Sequence, residues 1–360
     1  MSELLFSKII PGGNATVILH EPVIPLGSLA QIAKRLMDPM HVQAEQVGAL
    51  YVGGQSVPHL EMMGGEFCVN ATRAATLVLA GMEVLRPVAV PHCAAPLSQR
   101  QPDAEGAFIT EPDDSAGAWE GEVLVSGMPD PVRVLACRDA RTLALYLGRH
   151  SVLCAPASGG RPGAGEGRTE PPVPLDSWQD NLPSSLYCAT RVDCSQAGVH
   201  CREIQDGVCL VRLPGMAHVL VDADLHPLPG MERYAWQQAS AAWRSACGIS
   251  RAPASGVVWY KRQGKSLRIW PAVEVRASGS EHMETACGSA SLALALWEQT
   301  SATARSGIRV PCPYPALDII QPSGESLLVF LEFSGGAGTF PSSAWIAGPV
   351  QLAAHGRAYV

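Results

Sequence analysis

Two cysteines, Cys68 and Cys287, stand in local sequences that resemble each other. Each follows an acidic residue, Glu66 or Glu284, and precedes small and polar residues that continue into an alanine- and leucine-rich stretch. The pattern predicts a cysteine at the start of a buried helix, twice. Because a helix start presents unpaired N–H groups and a partial positive charge, such a position can bind a carboxylate and lower the pKa of a thiol.

Two thiols on opposite sides of one carbon would invert a stereocentre without a cofactor. One thiolate removes the α-proton of an amino acid while the second, protonated thiol delivers a proton to the opposite face. The helix starts would stabilise the developing carbanion through the substrate carboxylate. Pyridoxal phosphate is the usual alternative electron sink, but none of the four lysines has a setting that favours a Schiff base. We therefore expect no cofactor.

The eleven cysteines also allow simpler interpretations. A single free cysteine is most often a small buried apolar residue, and that interpretation holds for the other nine. The sequence contains no CxxC or HExxH motif, which argues against a metal site and against a thiol-redox protein. An odd number of scattered cysteines predicts reduced thiols rather than a disulfide framework.

Composition restricts the classes of partner. The chain has 360 residues, of which 47% are hydrophobic and 16% charged, with a net charge of -7. The acidic balance and the lack of a Lys/Arg block argue against nucleic acid. No apolar run approaches the roughly 20 residues of a membrane span, and the N-terminal sequence lacks the features of a signal peptide. We expect a cytoplasmic protein with two domains.

Hydrophobic periodicity predicts strands that alternate with a few helices, hence an α+β architecture. Besides the two helices that follow the cysteines, helices are predicted at 26–37 and 232–246. Strands are predicted at 15–19, 48–52, 57–62, 123–134, 143–147, 208–213, 218–221, 256–260, 267–270 and 273–277.

Two segments are poor in large apolar residues. Residues 95–120 are rich in Pro, Asp, Gly and Gln, which predicts a surface insertion. Residues 151–185 contain a long Gly- and Pro-rich stretch, which predicts a linker or loop between two domains. The GAGEG run inside it lacks the GxGxxG spacing, so a phosphate-binding loop is not expected.

Several motifs resemble the diaminopimelate epimerase-like superfamily of cofactor-independent isomerases. Among its members the chain is most similar to the histidine racemases of opine-type, staphylopine-like metallophore biosynthesis. The motifs are GEFCVNAT at 65–72 and ETACGS at 284–289, with FSK at 6–8, PGGN at 11–14, HV at 41–42, EQVG at 45–48, VSG at 125–127, QPSG at 321–324 and GRAY at 356–359. They extend over nearly the whole chain.

The resemblance implies a role for each matching residue. Cys68 and Cys287 would be the acid/base pair, with Glu45 and Glu284 as functional carboxylates beside them. Without the resemblance, Glu45 would be interpreted as a lone surface carboxylate. The α-carboxylate and α-amine would be bound by Asn14, Asn70 and the amides of Val69, Asn70, Gly288 and Ser289. His218 aligns loosely with a histidine of the racemases. Two roles are possible for it, a substrate contact or a structural histidine.

The chain also departs from the family pattern. Val69 stands where glycine is common, so the turn loses freedom and the pocket gains bulk. In diaminopimelate epimerases a Glu-Arg pair upstream of the second cysteine binds the distal amino-acid group, whereas this chain has ASGS at 277–280. A substrate with a second zwitterionic end is therefore disfavoured. Arg276 lies nearby, but a lone arginine beside a strand is usually a surface residue.

The implied fold has two pseudo-symmetric α/β domains of the diaminopimelate epimerase-like type. Each would be a curved sheet around a central helix, with the active site in the cleft between them. The first would comprise 1–150 with a C-terminal strand at 346–360, and the second 186–345, joined by 151–185. Closure of the cleft would exclude water.

The implied function is racemisation of an amino acid, with histidine as the first candidate. Diaminopimelate epimerase and the proline racemase-like, hydroxyproline epimerase-like and PrpF-like isomerases are alternatives. Phenazine-biosynthesis-like members lack the cysteine pair, so both cysteines favour racemisation. A catalytically inactive amino-acid binder is the non-enzyme alternative, suggested by Val69. The expected partner is a small amino acid, with a homodimer as a further possibility.

Overall fold

The structure is a computed structural model that describes residues 3–24, 28–53, 57–88, 117–150, 182–195, 198–230, 232–276, 279–306, 316–334 and 340–360. The helices are α1 (Leu29–Leu36), α2 (Val69–Gly81), α3 (Ala140–His150), α4 (Arg233–Ala246) and α5 (Gly288–Ser306). The strands are β1 (Glu3–Pro11), β2 (Thr16–His20), β3 (Gln46–Tyr51), β4 (His59–Met62), β5 (Arg86–Val88), β6 (Ala118–Val125), β7 (Val132–Cys137), β8 (Ser185–Asp193), β9 (His200–Gln205), β10 (Val208–Leu213), β11 (Met216–Asp222), β12 (Ala254–Gln263), β13 (Ser266–Val275), β14 (Ser280–Met283), β15 (Leu317–Ile320), β16 (Ser326–Glu332) and β17 (Ser343–Tyr359).

A closed ring of strands surrounds α2. Strands β1, β2, β3, β4, β6, β7, β8 and β17 pair in that order, and β17 pairs back with β1. Every residue of α2 from Val69 to Leu79 is buried, and its apolar side chains form one cluster with those of the surrounding strands. The first cysteine motif therefore leads into a helix inside a barrel, which fixes the position of the helix start.

The second half of the chain repeats the order of pairings. Strands β10, β11, β12, β13, β15, β16 and β17 pair in sequence, and α5 lies in a core cluster with their buried residues. In both halves a helix connects two parallel strands, namely α1 between β2 and β3 and α4 between β11 and β12. The chain thus has a mixed α/β fold. All its described strands join one hydrogen-bonded sheet, and the division into two domains stays a prediction.

The prediction of a strand at 143–147 is wrong, because this segment belongs to α3. Asp139 starts the helix: its carboxylate accepts hydrogen bonds from the Thr142 amide at 2.8 Å and from the Thr142 hydroxyl at 3.0 Å. Leu143, Tyr146 and Leu147 are buried, and their i, i+3, i+4 spacing covers one helical face. An Asp that precedes apolar residues at i, i+3 and i+4 was the signal in the sequence that indicates a helix.

The two strands predicted at 267–270 and 273–277 are one strand, β13. Pro271 lies in the gap between the two predicted strands, and proline has no N–H group for a sheet ladder. On one edge, β15 pairs with Leu267 and Arg268, whereas β14 pairs with residues 272–275. Pro271 lies between these two partners, where the strand continues without that N–H group.

The strand predicted at 123–134 is wrong as a single strand, because the segment contains the end of β6, a turn and the start of the antiparallel strand β7. Three further predictions are confirmed with small shifts. The helix expected at 232–246 is α4, the helix expected at 26–37 includes α1, and the strand expected at 208–213 is β10. Most of the predicted insertion and linker lies outside the described residues, but β6 begins at Ala118 and β8 at Ser185. None of the helices described here combines the length and the apolar character that a membrane crossing needs.

Candidate active site

Cys68 is the N-cap residue of α2. Its backbone is extended, and its sulfur accepts a hydrogen bond from the Ala71 amide at 3.4 Å. Burial raises the pKa of the Cys68 thiol, the Ala71 amide opposes that rise, and the carboxyls of Glu284 and Glu66 add to it. The helix start predicted from the sequence is therefore present and interacts with the sulfur.

Cys287 immediately precedes α5. Its amide donates to Gln321 Oε1 at 2.9 Å, and its sulfur lies 3.4 Å from the Ser289 hydroxyl. Burial raises the pKa of the Cys287 thiol, and the charge of Glu284 raises it further, while the Ser289 hydroxyl and the Ala290 amide act in the opposite direction. Both predicted cysteines thus occupy equivalent positions at the starts of two buried helices.

One narrow cavity of about 60 Å³ is lined by both cysteines. Three carboxyl side chains line it as well, those of Glu45, Glu66 and Glu284. Among the described residues that line this cavity there is no Lys or Arg. The N-terminal amides of α2 and α5 are the groups at which the sequence predicts that a substrate carboxylate binds.

Glu284 is the carboxyl group nearest to Cys287 in the chain sequence and interacts with its thiol. The Glu284 carboxyl group raises the pKa of the Cys287 thiol. Burial raises the pKa of Glu284 to about 8, and the neighbouring Glu45 and Glu66 carboxyls contribute to the increase. A carboxyl group that titrates near neutral pH and contacts a thiol can accept the thiol proton, so this pair has the chemistry of a base.

Cys68 has a different partner, the amide of Gln46. The Cys68 thiol donates to Gln46 Oε1 at 2.6 Å, and Gln46 Nε2 donates to Asn14 Oδ1. An amide oxygen accepts a hydrogen bond but does not accept a proton at neutral pH. The Gln46 contact therefore favours the protonated thiol, so the two cysteines differ in their resting proton environment.

Asn14 was expected to contact substrate, but the structure places it behind the cavity wall. It is fully buried, and its Nδ2 donates to Glu45 Oε2 at 2.9 Å. Its Oδ1 accepts from the Thr16 hydroxyl at 3.0 Å and from Gln46. Since these bonds use the amide group on both sides, Asn14 positions Glu45 and Gln46.

Glu45 is a half-buried residue that connects the two halves of the chain. Its carboxylate accepts hydrogen bonds from the Thr285 hydroxyl at 2.6 Å and from the Thr285 amide at 3.3 Å. It also accepts from the side chain of Asn14 and the amide of Ala15. Glu45 therefore joins the turn at 13–15 to the segment just before Cys287, and the interpretation as a solvated surface carboxylate does not apply.

Val69 and Asn70 contact the other half of the chain directly. Asn70 Nδ2 donates to the Ala286 carbonyl at 2.8 Å, while its Oδ1 is buried without a partner in the described structure. Val69 packs on Gly288: a Cβ atom at position 288 would lie 2.5 Å from Val69 Cγ1. Valine at the start of α2 is thus accommodated by glycine at the start of α5.

His218 lies behind the cavity, next to Ser289. It is completely buried, its Nε2 is 3.0 Å from the Ser289 hydroxyl, and burial lowers its pKa to about 3. His218 is therefore neutral and contacts Ser289, which lines the cavity. The structure places it as a support for Ser289 rather than in the cavity lining.

The contact between Val69 and Gly288 leads to a prediction. Gly288→Ala brings Cβ to 2.7 Å from Val69 Cβ, so we expect a loss of about 1–3 kcal/mol in unfolding free energy. Val69→Gly removes both clashing atoms. The double variant, Gly288→Ala with Val69→Gly, should therefore have a higher unfolding free energy than the sum of the two single losses predicts. Urea unfolding of the four proteins measures this coupling. Wild-type stability of Gly288→Ala alone would contradict the packing.

Four residues of the candidate site were not predicted from the sequence. Gln46, Thr285 and Gln321 contact Cys68, Glu45 and Cys287 respectively, and Glu66 lines the cavity. All four lie inside motifs that carry the family resemblance, at 45–48, 65–72, 284–289 and 321–324. The motif match was therefore the available signal, since a lone Gln or Thr has no spacing that indicates chemistry.

Comparison with solved structures gives the class of fold. A hydroxyproline epimerase from Agrobacterium vitis superposes with a TM-score of 0.53 over 99% of this chain and 91% of its own, at 11% sequence identity. A phenazine biosynthesis protein of the PhzF family from Bacillus anthracis gives a TM-score of 0.54 over 100% of both chains, at 9% identity. The chain therefore has the fold of the proline racemase-like and PhzF-like isomerases.

Comparison of sequences is more specific but covers less of the chain. Residues 3–94 match the family model of the histidine racemase CntK N-terminal domain. A curated histidine racemase from Fusobacterium nucleatum subsp. nucleatum is 39% identical over 75 residues, which are 21% of this chain and 26% of that protein. The match thus spans about a quarter of the relative's length. The resemblance to histidine racemases is confirmed for this N-terminal part.

Proposed function

We propose that the protein is a cofactor-independent amino-acid racemase with Cys68 and Cys287 as acid and base. The observation that carries this proposal is that both cysteines lie at the starts of buried helices and line one cavity, where Gln46 accepts from the Cys68 thiol and Glu284 raises the pKa of the Cys287 thiol. The fold shared with racemases and epimerases supports the same reaction class. The inactive-binder alternative gives no reason for a carboxyl with a pKa near neutrality beside one of the thiols.

The proposed reaction moves two protons and no electrons overall. The Cα–H bond of the substrate breaks, its proton passes to one thiolate, and the electron pair delocalises into the substrate carboxylate. The opposite thiol then gives its proton to the other face of Cα, which inverts the stereocentre. Glu284 removes the Cys287 proton, whereas the Gln46 amide keeps Cys68 protonated before the reaction. The narrow cavity excludes most water and strengthens these electrostatic interactions.

We propose histidine as the substrate. The N-terminal similarity to histidine racemases supports this choice. The three carboxyl groups of the cavity suit the ammonium and imidazole groups of such a substrate. A diaminopimelate substrate needs a cation for its distal carboxylate, but Arg276 is exposed and donates to the Ser250 carbonyl at 3.1 Å. The cavity thus favours a substrate with one carboxylate.

Hydrogen–deuterium exchange at Cα tests the proposal. Purified, reduced protein in deuterium oxide is incubated with L- and D-histidine, diaminopimelate and proline, and the loss of the α-proton signal is followed by NMR. We expect deuterium to enter both enantiomers of histidine. Exchange confined to diaminopimelate or proline would assign a different member of the same reaction class, and binding of histidine without any exchange would establish the binder.

A further inference from the structure

We call the cavity lined by Cys68 and Cys287 the catalytic cavity. A second cavity of about 300 Å³ lies next to it. It is formed by the turn between β10 and β11, the loop that leads into β12 and the residues just before β9. Cavities of about 300–1,000 Å³ are the usual size for small-molecule sites. Two residues line both cavities, Met216 and Ala254. These two side chains therefore form the shared wall.

Met216 is the larger and more adaptable part of this wall. It is the first residue of β11, is half-buried, and packs against the core cluster around α5. Its sulfur accepts a hydrogen bond from the Ser289 hydroxyl at 3.3 Å, and that hydroxyl is 3.4 Å from the Cys287 sulfur. A methionine side chain has three rotatable bonds and no branch, so truncating it removes the wall with little change to the backbone.

The second cavity has an apolar character. Val199, Leu213, Pro214 and Pro253 line it, and Arg212 is the charged residue among those that the structure describes there. This surface suits an apolar or aromatic side chain rather than an imidazole surrounded by carboxyls. With Met216 in place, such a side chain on Cα would meet the methionine before it reached this space.

We propose that Met216 is a specificity-determining residue that closes the catalytic cavity against this second, apolar cavity. It thereby limits the size of the amino-acid side chain that the enzyme accepts. This inference rests on the proposed racemase function. It assigns the second cavity as the space that large apolar side chains enter once the wall is removed.

The structure offers a matched control. A third cavity of about 260 Å³ shares Met63 and His282 with the catalytic cavity and is lined by charged residues, including Lys34, Asp38 and Arg233. Met63→Ala therefore removes a methionine from a different wall of the same site. If the charged cavity were the route for larger side chains, Met63→Ala rather than Met216→Ala would widen the substrate range.

The experiment compares α-proton exchange of histidine, phenylalanine and tryptophan by the wild type, Met216→Ala, Met216→Leu and Met63→Ala. We expect Met216→Ala to raise the kcat/KM ratio of phenylalanine or tryptophan to histidine at least about tenfold, which is about 1.4 kcal/mol. Met216→Leu and Met63→Ala should keep the wild-type ratio. An unchanged ratio in folded Met216→Ala, or an equal gain in Met63→Ala, would overturn the proposal.

Alkylation of Cys287 gives a readout that does not require turnover. Rates with iodoacetamide and with the bulkier N-phenylmaleimide are measured by mass spectrometry. The rate ratio of the bulky to the small reagent should rise in Met216→Ala and stay at the wild-type value in Met63→Ala. If the wild type exchanges no amino acid, the racemase proposal fails, but the alkylation ratio still tests whether Met216 separates the two cavities. A ratio in Met216→Ala equal to that of the wild type would reject this role of Met216.

Discussion

Cys68→Ser and Cys287→Ser should each lower the rate of racemisation by about 10²–10⁴-fold, the range that positioned acid/base groups contribute. A serine hydroxyl gives up its proton far less readily than a thiol, and each direction of the reaction needs one sulfur as base and the other as acid. The loss should therefore appear with both enantiomers. Polarimetry with L- and D-histidine as starting material measures both directions.

The matched control for this prediction is Cys201→Ser. Cys201 is a free, partly buried cysteine on β9 that does not line the catalytic cavity. We expect this variant to racemise at the wild-type rate, which separates a specific loss from a general effect of removing a thiol. Wild-type rates in either Cys68→Ser or Cys287→Ser would refute the two-base mechanism.

The positions of the two cysteines could be predicted because the relevant signal is local. Cys68 and Cys287 each precede a long run of small and apolar residues. Such a run predicts a buried helix, and the structure has α2 and α5 at these places. Helix starts are defined by neighbouring residues, so the sequence alone indicates that each thiol lies at the start of a helix. The structure agrees on both helix starts, but burial raises the pKa of both thiols, against the expectation that a helix start lowers it.

The supporting contacts could not be predicted because they connect distant parts of the chain. Glu45 contacts Thr285 from 240 positions away, and Asn14 reaches Glu45 across 31 positions. No periodicity encodes such contacts, since they depend on how the barrel around α2 meets the sheet around α5. The motif resemblance indicated Asn14 and His218 as site residues, but it could not show that they support cavity residues from behind.

Two of the errors in the secondary structure have different causes, one local and one dependent on distant strands. At 143–147 the apolar residues suit both a strand and one face of a helix, and the Asp139 cap determines the outcome. At Pro271 a residue that normally ends a strand is tolerated because two partner strands meet on either side of it. The helix at 143–147 was indicated by a local signal, the Asp139 cap. Whether the strand continues through Pro271 depends instead on which strands pair with it.

The two thiols have different neighbours. The Cys68 thiol donates to the Gln46 amide, whereas the Glu284 carboxyl acts on Cys287, so in the proposed mechanism Cys68 begins as the acid and Cys287 with Glu284 as the base. A symmetric pair of equally buried thiols would have no means to ionise, because burial raises the pKa of both. Glu284 is therefore the residue whose titration should control the rate.

Glu284→Gln should lower kcat/KM by about 10²-fold or more and change its pH dependence. In the wild type, kcat/KM should rise with pH through about 8, where the buried Glu284 loses its proton and can accept that of Cys287. Glutamine cannot titrate, so the variant should lack this rise. Glu66→Gln is the matched control, since Glu66 lines the same cavity and burial also raises its pKa. A rise through pH 8 that persists in Glu284→Gln would contradict the assignment.

The same titration predicts an opposite effect on stability. The folded-state pKa of Glu284, about 8, lies above that of an unfolded glutamate, so the folded chain binds this proton more tightly. Stability from this group is complete below about pH 4, where glutamate is protonated in both states, and is lost progressively as the pH rises to about 8. Relative to Glu284→Gln, the wild type should therefore lose unfolding free energy over this range while its activity rises. Urea unfolding at several pH values measures the difference, and parallel stability curves would show that Glu284 ionises normally in the folded chain.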